Sequence, residues 1–254
     1  MSEVGKCLYL HDLTWPEVKE ALPQVKLAII PVDSTEQHGP HATFEMDTAG
    51  SREFSKLLGE RLFPHALVTP AIPIGVSSHH MRFPGTITLQ PETLVAVLMD
   101  MVRSLQAHGI RRFFFANGHG GNTAALTIIN NRVRHELGCL AAWATVPYDA
   151  VSDVYDQHVK SPVNGHSCEG EMSVMLHLYP RAIRKDALTP GKIVGAVQER
   201  IDKWPWVAEA RFFDEGTENG ALGDATKAAP EMGKALVETG LDRIAEYLRD
   251  FMER

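Results

Sequence analysis

No stretch of this chain approaches the roughly 20 uninterrupted apolar residues that a membrane helix needs, which leaves a bilayer-spanning role without a carrier. Basic runs are also missing. With 25 Lys and Arg against 32 Asp and Glu the net charge is -7, and no cluster of positive side chains offers a nucleic-acid footprint. The opening Met-Ser-Glu-Val-Gly-Lys lacks the basic start and apolar run of a secretory signal. Cys7, Cys139 and Cys168 are the only cysteines and lie far apart, which argues against a disulfide framework. The three-glycine dinucleotide fingerprint, internal repeats and low-complexity segments are likewise missing. These absences leave a cytoplasmic protein with a small-molecule substrate as the expectation, with no nucleic-acid and no membrane partner.

What is present fits one large core. The 254 residues are 44% hydrophobic, and the expectation is a single domain over residues 1–254. Lys26–Val32 is a short apolar run that reads as a buried strand. Asp47 can cap a helix to about Leu62, with Phe54, Leu57, Leu58 and Leu62 on one face. A second strand is expected within Ala66–Val76, at an edge or ending early because of Pro70 and Pro73. A helix follows from Pro91 to about His108, closed by Gly109. Arg112–Ala116 is the clearest strand. Asn122–Leu137 reads as a helix, Leu140–Val146 as a strand and Glu169–Leu178 as a helix. Residues 185–229 carry a weak pattern, interrupted at Trp204-Pro205-Trp206, and read as surface excursions forming a lid or an oligomer contact. An amphipathic helix over Lys234–Met252 closes the chain. Strand, loop and helix recur in order, which predicts an α/β fold: a doubly wound, mostly parallel sheet with helices on both faces. In such sheets ligands collect beyond the carboxyl ends of the strands.

Three polar stretches follow these elements: Ser34–His41 with Asp47 beyond it, Asn117–Asn122, and Gly165–Glu171. Six of the twelve histidines (His38, His41, His79, His80, His119 and His166) fall in loops at strand ends or leading into a helix. Imidazole mixed with carboxylate suits zinc, manganese or iron rather than calcium or magnesium. Glu36 and His38, one residue apart in an extended loop, can point the same way. Asp47 has two oxygens with which to bridge two cations. Cys168 offers a competing nucleophile, although a small buried thiol is usually inert packing.

Together, Glu36-Gln37-His38-Gly39-Pro40-His41 with Asp47, Asn117-Gly118-His119-Gly120-Gly121-Asn122, and His166-Ser167-Cys168-Glu169-Gly170-Glu171-Met172-Ser173 resemble the creatininase (creatinine amidohydrolase) family. The similarity runs from about Leu13 to Tyr179 and includes Phe83-Pro84-Gly85-Thr86. The resemblance implies a creatininase-like doubly wound α/β fold, two divalent metal ions per chain (Zn, Mn or Fe) and a homo-oligomer, usually a hexamer. Carried over by motif, Glu36 and His119 would hold one ion, His38 and Glu169 the other, and Asp47 would bridge them. His166 matches the family's proton-transfer histidine, and Glu169 would share the catalytic site with it. Creatininase itself has an aromatic residue and a metal-binding Glu after the motif histidine, where this chain has Gly120 and Gly121. Branches with the Gly-Gly form include a deformylase of a ribosylaminopyrimidine phosphate, a peptidase of mycofactocin maturation and a diketo-inositol hydrolase.

These features predict a metal-dependent hydrolase that cleaves a non-peptide C–N bond in an amide, formamide or cyclic amide by means of an activated hydroxide. His79, His80 and Arg82 are expected to line the substrate entrance, and Gly120 and Gly121 to leave room for a bulkier or polyhydroxylated substrate. Two alternatives stand beside this reading: a hydrolase opening an inositol-derived carbocyclic diketone, and a metal-free α/β protein binding a small phosphorylated ligand.

Overall fold

The computed structural model describes residues 6–204 and 206–254. Met1–Gly5 and Pro205, on which parts of the readings of the N-terminus and of the Trp204-Pro205-Trp206 interruption fall, lie outside the described residues. Five parallel strands form one sheet: β1 (Leu8–Tyr9), β2 (Leu27–Val32), β3 (Ala66–Val68), β4 (Arg112–Asn117) and β5 (Leu140–Thr145), in the order β1-β3-β2-β4-β5. Leaving β2, the chain first moves to β3 on one side and then crosses to β4 on the other. The carboxyl ends of β2 and β4, paired from Ala28–Phe113 to Val32–Asn117, therefore flank the switch point where ligands bind in such sheets.

Alternation along the two central strands assigns each helix to a face. Leu27, Ile29, Phe114 and Ala116 point to one side and pack with α2 (Met46–Arg61) and α8 (Pro230–Glu253). Ala28, Ile30, Val32, Phe113 and Phe115 point to the other and pack with α3 (Pro91–Ala107) and α4 (Thr123–Leu137). Both faces are covered, which is why β2 and β4 read as uninterrupted apolar runs. The predicted Ala66–Val76 strand ends at Val68, ahead of Pro70 and Pro73, and keeps only an isolated bridge from Ile72 to Val32.

Short elements escaped the pattern: α1 (Trp15–Ala21), α5 (Ser152–His158) and α7 (Gly195–Lys203), besides the two-residue β1. A seven-residue helix has two turns, too few for a period to emerge. The helix that positions the third motif, α6 (Glu169–Leu178), lies against α8. Their contact is so close that a Cβ on Gly233 would lie 1.8 Å from the Ser173 carbonyl oxygen. Gly233→Ala must push α8 off α6, and overpacking of this kind costs about 1–3 kcal/mol. The urea midpoint should fall accordingly, and an unchanged midpoint would mean that the two helices part without cost.

Candidate metal centre

Each donor arrives from the end of a central strand or the start of a helix packed beside it. The loop after β2 delivers Glu36 and His38, 1% and 3% exposed. Asp47 stands in the first turn of α2. His119 follows β4, and His166 and Glu171 flank the start of α6. Ser167 holds the turn between them in a left-handed conformation, φ 51°, uncommon for a residue with a side chain. Its hydroxyl donates to the His38 carbonyl at 2.6 Å and contacts His41 Nε2 at 2.8 Å, while its amide donates to Glu171. His41 thus buttresses the turn.

Asp47 is the centre of the arrangement. Its Oδ1 lies 3.1 Å from His38 Nε2 and its Oδ2 3.7 Å from His119 Nδ1. Beyond His119 stands Glu36 Oε1, 3.1 Å away. Beyond His38 stand His166 and Glu171, whose ligand atoms lie with that of His38 within 4.8 Å of one another. Second partners fix the ring orientations. His119 Nε2 donates to the Val76 carbonyl at 3.0 Å and His38 Nδ1 to the Glu36 carbonyl at 3.3 Å, which turns the opposite nitrogens toward the carboxylates. Asp47 Oδ2 is buried without a hydrogen-bond partner. Three carboxylates and two imidazoles, with Asp47 between the imidazoles, are a donor set that fits two divalent cations.

Electrostatics carry the same signature. Burial opposes the charge on Glu36, but the hydrogen-bonded His119, with His166 and His38, holds its carboxyl well below the usual range. Burial also opposes a charge on His38, yet the adjoining Asp47 overrides it and raises the imidazole to about 10. Glu171 is pushed up to about 7, first by burial and then by the neighbouring Asp47. His166 is held well below its ordinary value by burial and by His38. Its Nε2 donates to the Gln37 carbonyl at 2.7 Å, leaving Nδ1 as the nitrogen that can take up a proton.

Of the residues expected at the site, Glu36, His38, Asp47, His119 and His166 converge. Glu169 does not. Its Oε2 accepts from the amides of Lys160 and Ser161 and from the Ser161 hydroxyl, each at 2.9 Å, so it ties the preceding loop to α6, and it stands in none of the clustered donor groups. Glu171 occupies the place expected of it. Two residues along a helix turn the side chain by about 200°, and the motif alone did not fix which carboxylate faces inward. Gly121 also departs from expectation: a Cβ there would lie 2.2 Å from the Val76 carbonyl oxygen, so the missing side chain leaves no space. Gly120 does face open space and helps to line a cavity of about 350 Å³ with Tyr148, Tyr155, Asn164, Cys168 and Glu171.

His80 and His79 lie at the site, His80 fully buried. Gln37 Nε2 donates to His80 Nδ1 at 2.9 Å and to the Gly220 carbonyl at 3.1 Å, while its Oε1 accepts from the Gly39 amide. His80, lowered to about 3 chiefly by burial, therefore turns Nε2–H toward Glu36 Oε1, 3.5 Å away. Arg82 serves a different part: its guanidinium stacks on Phe212 at 3.7 Å and pairs with Asp214 and Glu215. That pairing lays Phe213 over His80 and His166, ring centroids 4.1 and 4.8 Å apart. Phe213 belongs to the weakly patterned 185–229 region, where no spacing signal marks it.

A family model described as creatinine amidohydrolase matches residues 11–248. The mycofactocin precursor peptide peptidase of Mycobacterium tuberculosis is 34% identical over 239 residues, spanning 87% of this chain and 85% of that protein. The 3-dehydro-scyllo-inosose hydrolase of Thermotoga maritima is 27% identical, over 97% of this chain and 84% of its own length. A solved manganese creatininase superposes with a TM-score of 0.83 at 26% identity, covering 98% of this chain and all of the other.

The raised His38 pKa sets a measurable expectation. At pH 8 the metal-free imidazole still carries its extra proton, because pH 8 lies below its value of about 10. A cation binding at Nε2 must expel that proton, so zinc added at pH 8 should release about one proton or more per chain. An indicator dye reads the release. In Asp47→Ala both the proton release and the metal content should collapse, and retention of either would remove Asp47 from the centre of the site.

Proposed function

Because the chain belongs to the creatininase family of hydrolases, we propose that it acts through a dinuclear metal centre held by Glu36, His38, Asp47, His119 and Glu171. The reaction is hydrolysis of a C–N bond in an amide, formamide or cyclic amide. The observation that carries this reading is the Asp47 carboxylate, which spans His38 and His119 with one oxygen directed to each. Divalent ions bound there, zinc, manganese or iron by their donor set, would polarise a carbonyl and lower the pKa of a water molecule.

The chain's own groups supply the rest. His166 Nδ1, neutral at pH 7 and within 3.8 Å of Glu36, takes up a proton and returns it to the leaving nitrogen. Gln37 and His80 hold Glu36 in place. Phe213 lies across His80 and His166 and keeps bulk water from that side. The cavity at Gly120 and Glu171, about 350 Å³, is at the small end of the range for ligand pockets. The mycobacterial relative is named for a precursor peptide, which extends the amide class to the C–N bond of a short peptide. The assembly inferred from family resemblance is a homo-oligomer. Membership of a family of hydrolases argues against a protein that only binds its ligand.

A second reading has its own support. The Thermotoga relative is named for a carbocyclic substrate, and the cavity wall offers Thr145, Tyr148, Tyr155 and Asn164 to a polyhydroxylated ring. Opening a diketone requires the same polarised carbonyl and a carbon leaving group. A screen of lactams, formamides, short peptides and cyclic diketones with zinc- or manganese-loaded protein separates the two. The expectation is turnover of a C–N substrate, with creatinine at least ~100-fold slower in kcat/KM, about 2.7 kcal/mol in transition-state binding. Turnover confined to the diketones would favour the second reading.

Cys168 is the competing nucleophile. Burial raises its thiol to about 11, and its Sγ lies 3.6 Å from the Tyr155 hydroxyl. A thiol so poorly ionised is a weak nucleophile. Cys168→Ala should retain turnover within about fivefold, as a buried small apolar residue replaces another, while a chelator abolishes it. A Cys168→Ala variant that binds metal normally yet is inactive would make the reaction cysteine-dependent.

A further inference from the structure

The geometry points to His79 as a metal ligand, completing with Glu36 and His119 the donor set on one side of Asp47. This inference rests on the dinuclear reading above and concerns which of the chain's residues closes it. A ring nitrogen of His79, a carboxylate oxygen of Glu36 and a ring nitrogen of His119 lie within 4.8 Å of one another. Around an ion with bonds of about 2.0–2.2 Å, two ligand atoms can be no farther apart than about 4.4 Å. The half-buried His79 ring therefore needs to turn by only a few tenths of an ångström at its nitrogen. It already lies nearly parallel to His119, the planes 12° apart and the centroids separated by 5.6 Å.

Two further observations single His79 out. The first is the space around residue 121. The side of His119 from which a neighbouring side chain could reach the cluster is occupied: a Cβ on Gly121 would meet the Val76 carbonyl at 2.2 Å, the His119 ring at 2.4 Å and His79 Cε1 at 2.9 Å. Residue 121 is thus barred from supplying a ligand by the segment that carries His79, and the imidazole stands where a side chain from 121 would have to pass. The second is hydrogen bonding. His38, His41, His80, His119 and His166 each commit a ring nitrogen to a protein partner. His79 makes no such bond among the described residues, so either tautomer can present a lone pair to the cluster. His80, next in the chain, cannot take this part, because the amide donated to its Nδ1 leaves a proton on the nitrogen that faces Glu36.

The consequence is a division of labour across Asp47. Glu36, His119 and His79 would form a side with two imidazoles, and His38 and Glu171, beside His166, the other. Losing His79 should weaken one ion and spare its neighbour. Metal-free protein is titrated with zinc against a chromophoric chelator, and separately with cobalt(II), whose visible absorption reports its ligand field. In His79→Ala one of the two zinc affinities should fall at least tenfold while the other changes less than twofold, and the cobalt spectrum should lose intensity or shift. His79→Asp, which returns an oxygen donor, should recover part of that affinity. His79→Asn, measured alongside, reads the same quantity should the alanine variant fail to fold. Two unchanged zinc affinities and an unchanged cobalt spectrum would remove His79 from the ligand set and leave the dinuclear reading standing. Wild-type protein that binds neither ion would overturn both.

Discussion

Three carboxylates, Glu36, Asp47 and Glu171, meet among the histidines of one cluster, with Phe213 lying over His80 and His166. Like charges brought together where water is scarce repel strongly, and burial alone would drive them to take up protons. The metal-free protein answers in both available ways. Glu36 stays ionised against histidines, whereas Asp47 and Glu171 are pushed upward and His38 retains a proton. Such a cluster is a poor contributor to stability on its own. The rest of the site follows from that constraint. Ser167 accepts a left-handed backbone to aim Glu171, Gln37 commits both ends of its amide to hold His80 and Gly39, and His119 is oriented from behind by Val76.

Much of this was legible in the chain. The apolar runs at β2 and β4 could be read as central strands because both faces of the sheet are covered, and the polar stretches after them follow at once from the position of the switch point. Convergence of side chains was legible wherever the backbone path leaves no choice of face. Glu36 and His38 alternate in an extended loop, and Asp47 and His119 sit at element ends. The third motif was different. Glu169 and Glu171 both stand in the first turn of α6, and choosing between them requires knowing which side of that helix meets α8. The Gly233–Ser173 contact that settles this joins residues sixty positions apart, and no local spacing encodes it.

Phe213 and Arg82 were illegible for a related reason. Phe213 lies in a region without regular periodicity, and its place over the histidines depends on a salt bridge and a cation–π contact with the loop before α3. Arg82 looked like a residue that would greet the substrate. Its charge is instead spent on Asp214 and Glu215, with its face on Phe212. A strap held by exposed ion pairs is held weakly, whereas the donors beneath it are fixed by buried bonds. The two parts of the site therefore differ in how they are fastened: by buried bonds at the donors and by exposed ion pairs at the strap.

That difference bears on how the proposed chemistry fits a chain whose relatives are named for a peptide and for a carbocyclic ring. In the proposed reaction the carbonyl would be handled by groups on strand ends and helix starts, which a change of substrate need not disturb. The walls are another matter. On one side, Gly120 opens onto Tyr148, Tyr155 and Asn164; on the other, a cavity of about 670 Å³ beside His79 is lined by Glu209, Arg211, Phe212 and Glu215. Apart from Thr145 at the end of β5, the lining residues named for the two cavities lie outside the strands and outside α2, α3 and α4. Substitutions there alter shape and charge without touching the core that positions Asp47. On the proposed reading, substrate choice lies mainly in the least regular segments of the chain, and the chemistry in the most regular ones.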